Sequence, residues 1–525
     1  MRVEHMRNDT SKLRSRPPRR RVLGAALALS FAVGACSAPT FGEGDLGRFY
    51  QQELAFGPCD DYPSTQTEAE LFATAPAAQC ARMEVPLDYE NPDGRSAQIA
   101  VMRIPARGES EGSLVLNTGG PGGGSTSMAA TLATTWADRP ATEQFDLVGF
   151  DPRGTGASVP AVDCLTDEQL DAGELPGAVP AAEGRWTAAD TRASVERCAE
   201  GSGGDDVLSR LGTRDVARDM DVLREVVGDD RLTYFGQSYG TRLGAVYAEM
   251  FPDKVRAMLL DGGIDPSTTY ADTRTHTFAS MQRAFDAMAA DCATRADCPL
   301  GTDPSRATEV FSGLVRPLVE QPVPSEERRT LDFNAAVGGV GAGLYDPAAW
   351  PAIRTGLTEL ANGRGDVLQL LSDSFGGRDE NGRWSNFTEA NHAINCADED
   401  RLSPEDARAL RERIWEAAPF MDPGTGYDGA RDGCESWPGE PTLGVPYASD
   451  VTGLPETLTI SITGDPSTPY EGGVAVADAL GGSLLTVEGT QHTVAAAGTN
   501  DCVNTAVDAY LLDLTPPAPG ARCTL

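Results

Sequence analysis

Short apolar runs alternate with amphipathic stretches along most of the chain, the pattern expected of strands separated by helices in a largely parallel sheet. The strand-like runs are "RMEVPLDY" (82–89), "AQIAVMRIP" (97–105), "SLVLNT" (113–118), "FDLVGF" (145–150), "LTYFG" (232–236) and "VRAMLLDG" (255–262). "TLTISITG" (457–464) and "SLLTVEG" (483–489) follow only after a long gap, so eight strands are predicted, divided six and two. Ahead of the fifth, "TRDVARDMDVLREVVG" carries Val216, Met220, Leu223 and Val227 on one helical face, with Thr213 as expected N-cap and Gly228 as the stop. After the fifth, "YGTRLGAVYAEMFP" reads as a helix ended by Pro252.

The long gap is rich in helical stretches such as "TFASMQRAFDAMAADCA" and "SPEDARALRERIWEAA". Residues 268–445 are therefore expected to form a mostly helical cap over the carboxyl edge of the sheet, inserted between a first core segment (49–267) and a second (446–525). Residues 160–212 read as a second, looser insertion rich in Gly and Asp.

The N-terminus reads differently. "RPPRRRVLGAALALSFAVGAC" joins a basic stretch to an apolar run and small residues before Cys36, the make-up of a secretory signal over residues 1–35. Its apolar run falls short of the roughly 20 residues that span a bilayer. "VGAC" resembles a lipobox, making Cys36 the expected lipid carrier and 36–48 a flexible tether. The protein is thus expected at the outer face of the cytoplasmic membrane as a lipoprotein, or secreted, and the arginines at 19–21 leave twin-arginine and general export both open.

The cysteines fit export. Of eleven, ten remain after Cys36 is set aside, and they fall into sequence-near couples: Cys59 and Cys80, Cys164 and Cys198, Cys292 and Cys298, Cys396 and Cys434, Cys502 and Cys523. Five disulfides formed outside the cytoplasm are the expectation. There is no C-x-x-C pair or close histidine couple to suggest zinc, and neither a metal nor a cofactor is expected. Without residues 1–35 the chain carries 35 Lys and Arg against 76 Asp and Glu, a formal charge of −41. Such a surface repels nucleic acid and anionic headgroups, so membrane attachment would come only from the lipid.

Gly-x-Ser-x-Gly occurs twice, at Gly108–Gly112 and Gly236–Gly240, and with 57 glycines in 525 residues the spacing alone means little. Ser110 has no strand in front of it. Ser238 has a strand before and a helix after, as a nucleophile elbow requires. Of the four histidines, His5 lies in the signal and His276 and His392 in the expected cap, whereas His492 follows the last strand at the same sheet edge as Ser238. The chain order Ser, Asp, His then favours Asp465, directly after the seventh strand, over Asp261 after the sixth. Oxyanion donors are expected from the Tyr239 N–H and from Gly119 or Gly120 in "NTGGPGGGS", a glycine run that lacks the Gly-Lys-Ser/Thr ending of a P-loop.

With "GGPGG", "DPRGTGAS", "GQSYGTRLG" and "GDPSTPY" in this order, the chain from about residue 55 onward resembles the tripeptidyl-aminopeptidase-like α/β-hydrolases, secreted relatives of proline iminopeptidase. The resemblance implies an α/β-hydrolase fold, a mostly parallel eight-stranded sheet with a helical cap. It also implies Ser238 as nucleophile, Asp465 as acid supported by Thr468, His492 as base, and an oxyanion loop at Gly119–Gly122. "AINCADED" looks like the family's cap segment, making Asp398 a candidate for the substrate's α-amino group, with Glu399 or Asp400 as equals. The implied activity is release of short peptides, often tripeptides, from peptide substrates with free N-termini. The chain has Asn117-Thr118 where proline iminopeptidases have histidine before the double glycine, so imino-acid specificity does not carry over. An esterase or lipase with the same triad, and a non-catalytic peptide-binding lipoprotein on the same scaffold, are the competing readings.

Overall fold

A computed structural model of the chain describes residues 43–177 and 186–525. The signal, Cys36 and the first part of the tether lie outside the described residues. The last tether residues belong instead to helix α1 (Glu43–Tyr50), in which Phe49 is buried and Arg48 donates to the Pro92 carbonyl at 2.8 Å.

Nine strands make one sheet: β1 (Gln79–Pro86), β2 (Ser96–Ile104), β3 (Gly112–Asn117), β4 (Phe145–Asp151), β5 (Leu232–Gln237), β6 (Val255–Asp261), β7 (Leu458–Ile462), β8 (Ser483–Glu488) and β9 (Arg522–Thr524). Their order is β1-β2-β4-β3-β5-β6-β7-β8-β9, with β2 antiparallel to both β1 and β4 and every other pairing parallel. The eight expected runs are all strands. The ninth corrects the expected count: three residues without apolar alternation, paired with β8 and tied by Cys523 to Cys502.

Alternation across the pleat sorts the central strands onto two cores. Val115, Tyr234, Met258 and Leu260 face helices α2 (Thr213–Val226) and α3 (Tyr239–Met250). Leu114, Leu116, Phe235 and Leu259 face helices Ser125–Thr135 and Asp501–Asp513. Gly212, and not Thr213, caps α2, because the Thr213 hydroxyl is committed elsewhere. The "DPRG" turn locks this face: Arg153 and Asp219 form a buried ion pair at 2.6 Å, and Arg153 also donates to the carbonyls of Pro86, Leu87 and Arg210.

Between β6 and its neighbour β7 the chain makes helices including α4 (Tyr270–Ala293), α5 (Phe333–Gly343) and α6 (Phe387–Asp398). A core of their own, with Phe285, Phe311 and Phe420 in mutual ring contact, holds α4 and α5 in place. All five cysteine couples are disulfides. No helix of the described residues is long and apolar enough to cross a membrane.

Candidate active site

β5 is buried along its whole length, and the chain passes from it into α3 through a single residue, Ser238, at φ 54° and ψ −120°. A side chain held at positive φ is strained, and such strain concentrates at reactive turns. The flanking glycines serve close approach, since neither has positive φ. A Cβ on Gly236 would lie 2.4 Å from the Gly240 carbonyl, and one on Gly240 would lie 2.9 Å from the Asn117 carbonyl. The other Gly-x-Ser-x-Gly serine, Ser110, lies at the surface, where its hydroxyl donates to the Gly112 carbonyl and accepts the Gly112 N–H.

The glycine loop after β3 lies against this turn: a Cβ on Gly119 would be 3.1 Å from the Ser238 Cβ and 3.2 Å from the Tyr239 nitrogen. The two expected donors in the loop are not equivalent. Gly119 N–H already donates to Asn117 Oδ1 at 3.1 Å, whereas among the described residues the N–H groups of Gly120 and Tyr239 have no hydrogen-bond partner. Gly120 and Tyr239 are therefore the pair free to receive a developing oxyanion.

Asp465 and His492 lie in the turns that follow β7 and β8. The fully buried carboxylate accepts the N–H groups of Ser467 and Thr468, both at 2.8 Å, the Thr468 hydroxyl at 3.0 Å, and His492 Nδ1 at 2.9 Å. Burial pushes the imidazole down, but the charge and hydrogen bond of Asp465 outweigh it with help from the charge of Asp261, so the pKa of His492 lies above the ordinary value. With Nδ1–H held by Asp465, Nε2 is the nitrogen left to accept a proton. No hydrogen bond joins Ser238 to His492 among the described residues. Such contacts commonly tighten only around substrate.

Asp261, the rival acid, does not touch the imidazole. Its Oδ2 accepts the N–H groups of Val494 and Ala495 at 2.8 Å each, and its main-chain oxygen accepts the Ser238 N–H at 2.9 Å. Burial raises its carboxyl above the ordinary range against those donors.

A cavity of about 420 Å³ lies over Ser238, lined by Gly120, Tyr239 and Thr468 from the sheet edge and by Asn391 and Glu399 from the inserted segment. Helix α6 rests on the glycine loop, its Asn391 donating to the Pro121 carbonyl at 3.0 Å. The expectation that Asp398 reaches a substrate is corrected. Its buried carboxylate accepts the Thr213 N–H at 2.7 Å, the Thr213 hydroxyl and the Thr442 hydroxyl, so of Asp398 and Glu399 only Glu399 lines the cavity. His276 lines it too, exposed on α4. His392 packs between Trp437 and the Cys396–Cys434 disulfide, and burial, with the nearby charge of Arg274, lowers it to about 4. Those sulfurs are bonded to each other, so this His-Cys-Cys cluster is not a metal site.

Tyr345 escaped the sequence reading. Its carbonyl, its ring and its hydroxyl all bear on the Asp465 and His492 turns, and nothing in "GAGLYDP" signals a partner almost 150 positions later.

The sequence pattern described as the alpha/beta hydrolase fold matches residues 112–494, most of the chain. The chain belongs to the α/β-hydrolase family. It is a serine hydrolase with relatives of several names. The serine protease Hip1 of Mycobacterium tuberculosis (strain H37Rv) is 42% identical over 463 residues, 85% of this chain and 87% of the relative. Carboxylesterase B of the same organism is 38% identical over 508 residues, 95% of each chain. The tripeptidyl aminopeptidase of Streptomyces lividans is 30% identical over 477 residues, 85% of this chain and 83% of that one.

Proposed function

We propose that this protein is an exported serine peptidase that releases short peptides, tripeptides among them, from free N-termini. The observation that carries the proposal is the cavity in which Ser238 shares its walls with a carboxylate of the inserted helices, Glu399. A carboxylate there can pair with an α-ammonium, and helices over the nucleophile restrict entry to chain ends. Relatives named serine protease and tripeptidyl aminopeptidase support the substrate class.

In the proposed reaction His492 Nε2 takes the Ser238 hydroxyl proton as Oγ attacks the scissile carbonyl. The N–H groups of Gly120 and Tyr239 stabilise the oxyanion, and Asp465, fixed by Ser467 and Thr468, stabilises the imidazolium. The imidazolium returns its proton to the leaving amine, and a water activated by the same nitrogen then hydrolyses the acyl-enzyme. The signal over residues 1–35 and Cys36 as lipid carrier are proposed to export and anchor the chain, consistent with five disulfides.

The test compares tripeptidyl naphthylamides with free and acetylated N-termini. Cleavage confined to free N-termini and lost in Ser238→Ala is expected. Hydrolysis of p-nitrophenyl esters with no peptide cleavage would establish the second reading, an esterase, which the relative named carboxylesterase B favours.

A further inference from the structure

Charges alternate from behind one wall of the cavity to its surface. Asp398, bound to Thr213, faces Arg242, which also reaches Glu399 with Nη1 to Oε1 at 3.4 Å. Glu399 in turn feels the charge of Arg274 as well as that of Arg242. Arg242, one turn beyond Ser238 on α3, is buried, with its ion pair to Glu399 and the charge of Asp398 nearby.

The series ends on Arg274, which lines the cavity from α4 and has no ion pair within 4 Å among the described residues. Its surroundings are Tyr270, which acts on it through its hydroxyl as well as through its ring, 5.1 Å from guanidinium to centroid, and then the charge of Glu399. The remaining charged groups of the wall do not alter this. His276, Arg283 and Glu471 are exposed to water, and Asp265 accepts the N–H and hydroxyl of Ser267. A guanidinium that lines the cavity with no ion pair of its own is open to an anion that arrives there.

We propose that Arg274 is a specificity-determining residue that binds a carboxylate of the substrate, so that the enzyme prefers acidic substrates over neutral isosteres. Planar, bidentate pairing suits a guanidinium to this ligand. Beside it Glu399, which carries the ion pair to Arg242, also lines the cavity, so the wall presents a carboxylate for an α-ammonium as well as a guanidinium for a carboxylate. The carboxylate comes either from an acidic side chain or from the C-terminus of a short peptide. The inference rests on the cavity being the substrate site.

Three substrate pairs test it on the full chain: tripeptidyl coumarin amides with Glu or Gln at each position, short peptides as free acids or C-terminal amides, and the p-nitrophenyl monoester of adipic acid against p-nitrophenyl hexanoate. The expected result is a kcat/KM for the carboxylate member at least about tenfold higher in one peptide pair and in the ester pair, carried by KM. Arg274→Gln should bring the ratio close to one, Arg274→Lys should retain part of it, and added salt should shrink it in the unaltered enzyme. The first peptide pair marks the side chain as the source, and the second marks the C-terminus. Ratios near or below one in all three pairs overturn the proposal, as does a preference that survives in folded Arg274→Gln. The salt dependence and the lysine variant decide the matter where the glutamine variant does not fold. A preference in the ester pair with no peptide cleaved sinks the peptidase reading and leaves Arg274 as the anion site.

Discussion

The main-chain oxygen of Tyr345 accepts the N–H of His492 at 2.8 Å while its ring stands edge-on to the imidazole, centroids 5.0 Å apart. The same tyrosine's hydroxyl donates to Ser467 Oγ at 3.1 Å, in the turn whose N–H groups hold Asp465. One residue from the inserted segment thus braces both ends of the Asp465–His492 pair. Tyr345→Ala is expected to lower kcat about tenfold or more with a smaller effect on KM, because displacements near 1 Å at a reacting group are that costly. Tyr345→Phe, which loses only the hydroxyl contact, should lose less than about threefold. Steady-state kinetics with the rate of fluorophosphonate labelling of Ser238 reads both.

At the elbow, strain and crowding predict opposite effects. Ser238→Gly removes the only side chain there held at positive φ and should raise stability by about 1 kcal/mol while abolishing activity. Gly240→Ala should destabilise by about 1–3 kcal/mol, since its Cβ would fall 2.9 Å from both the Asn117 carbonyl and Oδ1. Denaturant titrations of the two variants are the measurement.

The pH dependence of kcat/KM follows from the environment of His492. A general base must be neutral, so activity should fall as pH drops through a value above the ordinary 6.5. Asp465→Asn removes the charge and hydrogen bond that outweigh burial. The acid limb should therefore move to lower pH, even as the maximal rate drops by about 10³-fold or more. An unmoved limb in the variant would show that another group titrates.

A second pH effect concerns stability. Glu389 of α6 accepts the N–H groups of Cys164 and Leu165 at 2.6 and 2.7 Å, yet burial raises it from 4.5 to about 7. The folded chain holds this proton more tightly than the unfolded chain. Its contribution to stability is therefore full below the unfolded value and is lost as pH rises towards about 7, a change on the order of 3 kcal/mol. Urea unfolding at pH 5 and pH 8 should show this loss, and Glu389→Gln should lack it.

Much of the site was legible because parallel strands deliver their ends to one edge. Once Ser238, Asp465 and His492 each follow a buried run, the topology leaves them few other places to be. The acid shows where that logic is insufficient. Asp261 also ends a strand at that edge, and what separates it from Asp465 is its commitment to Val494 and Ala495 where Asp465 holds His492 Nδ1. Asp398 and Glu399 are adjacent in a helix end, and which one turns outward depends on Thr213 and Thr442, distant in sequence. Strand β9 carries no apolar pattern, being held by edge pairing and a disulfide. Tyr345 and Arg274 owe their roles to packing between segments, which periodicity along one segment does not encode.

Asp261 joins the nucleophile turn through its main-chain oxygen to the histidine loop through its carboxylate, so the spacing between the two is fixed within the sheet. The inserted helices leave from β6 and return to the adjacent β7, where Gly262 N–H meets the Ile460 carbonyl at 3.0 Å. Because the span leaves and returns at adjacent strands, replacing it would change the shape and charge of the chamber without interrupting the order of the sheet. What a replacement must supply to the chemistry is what Tyr345 now gives, a carbonyl and an aromatic edge at His492 and a hydroxyl at Ser467.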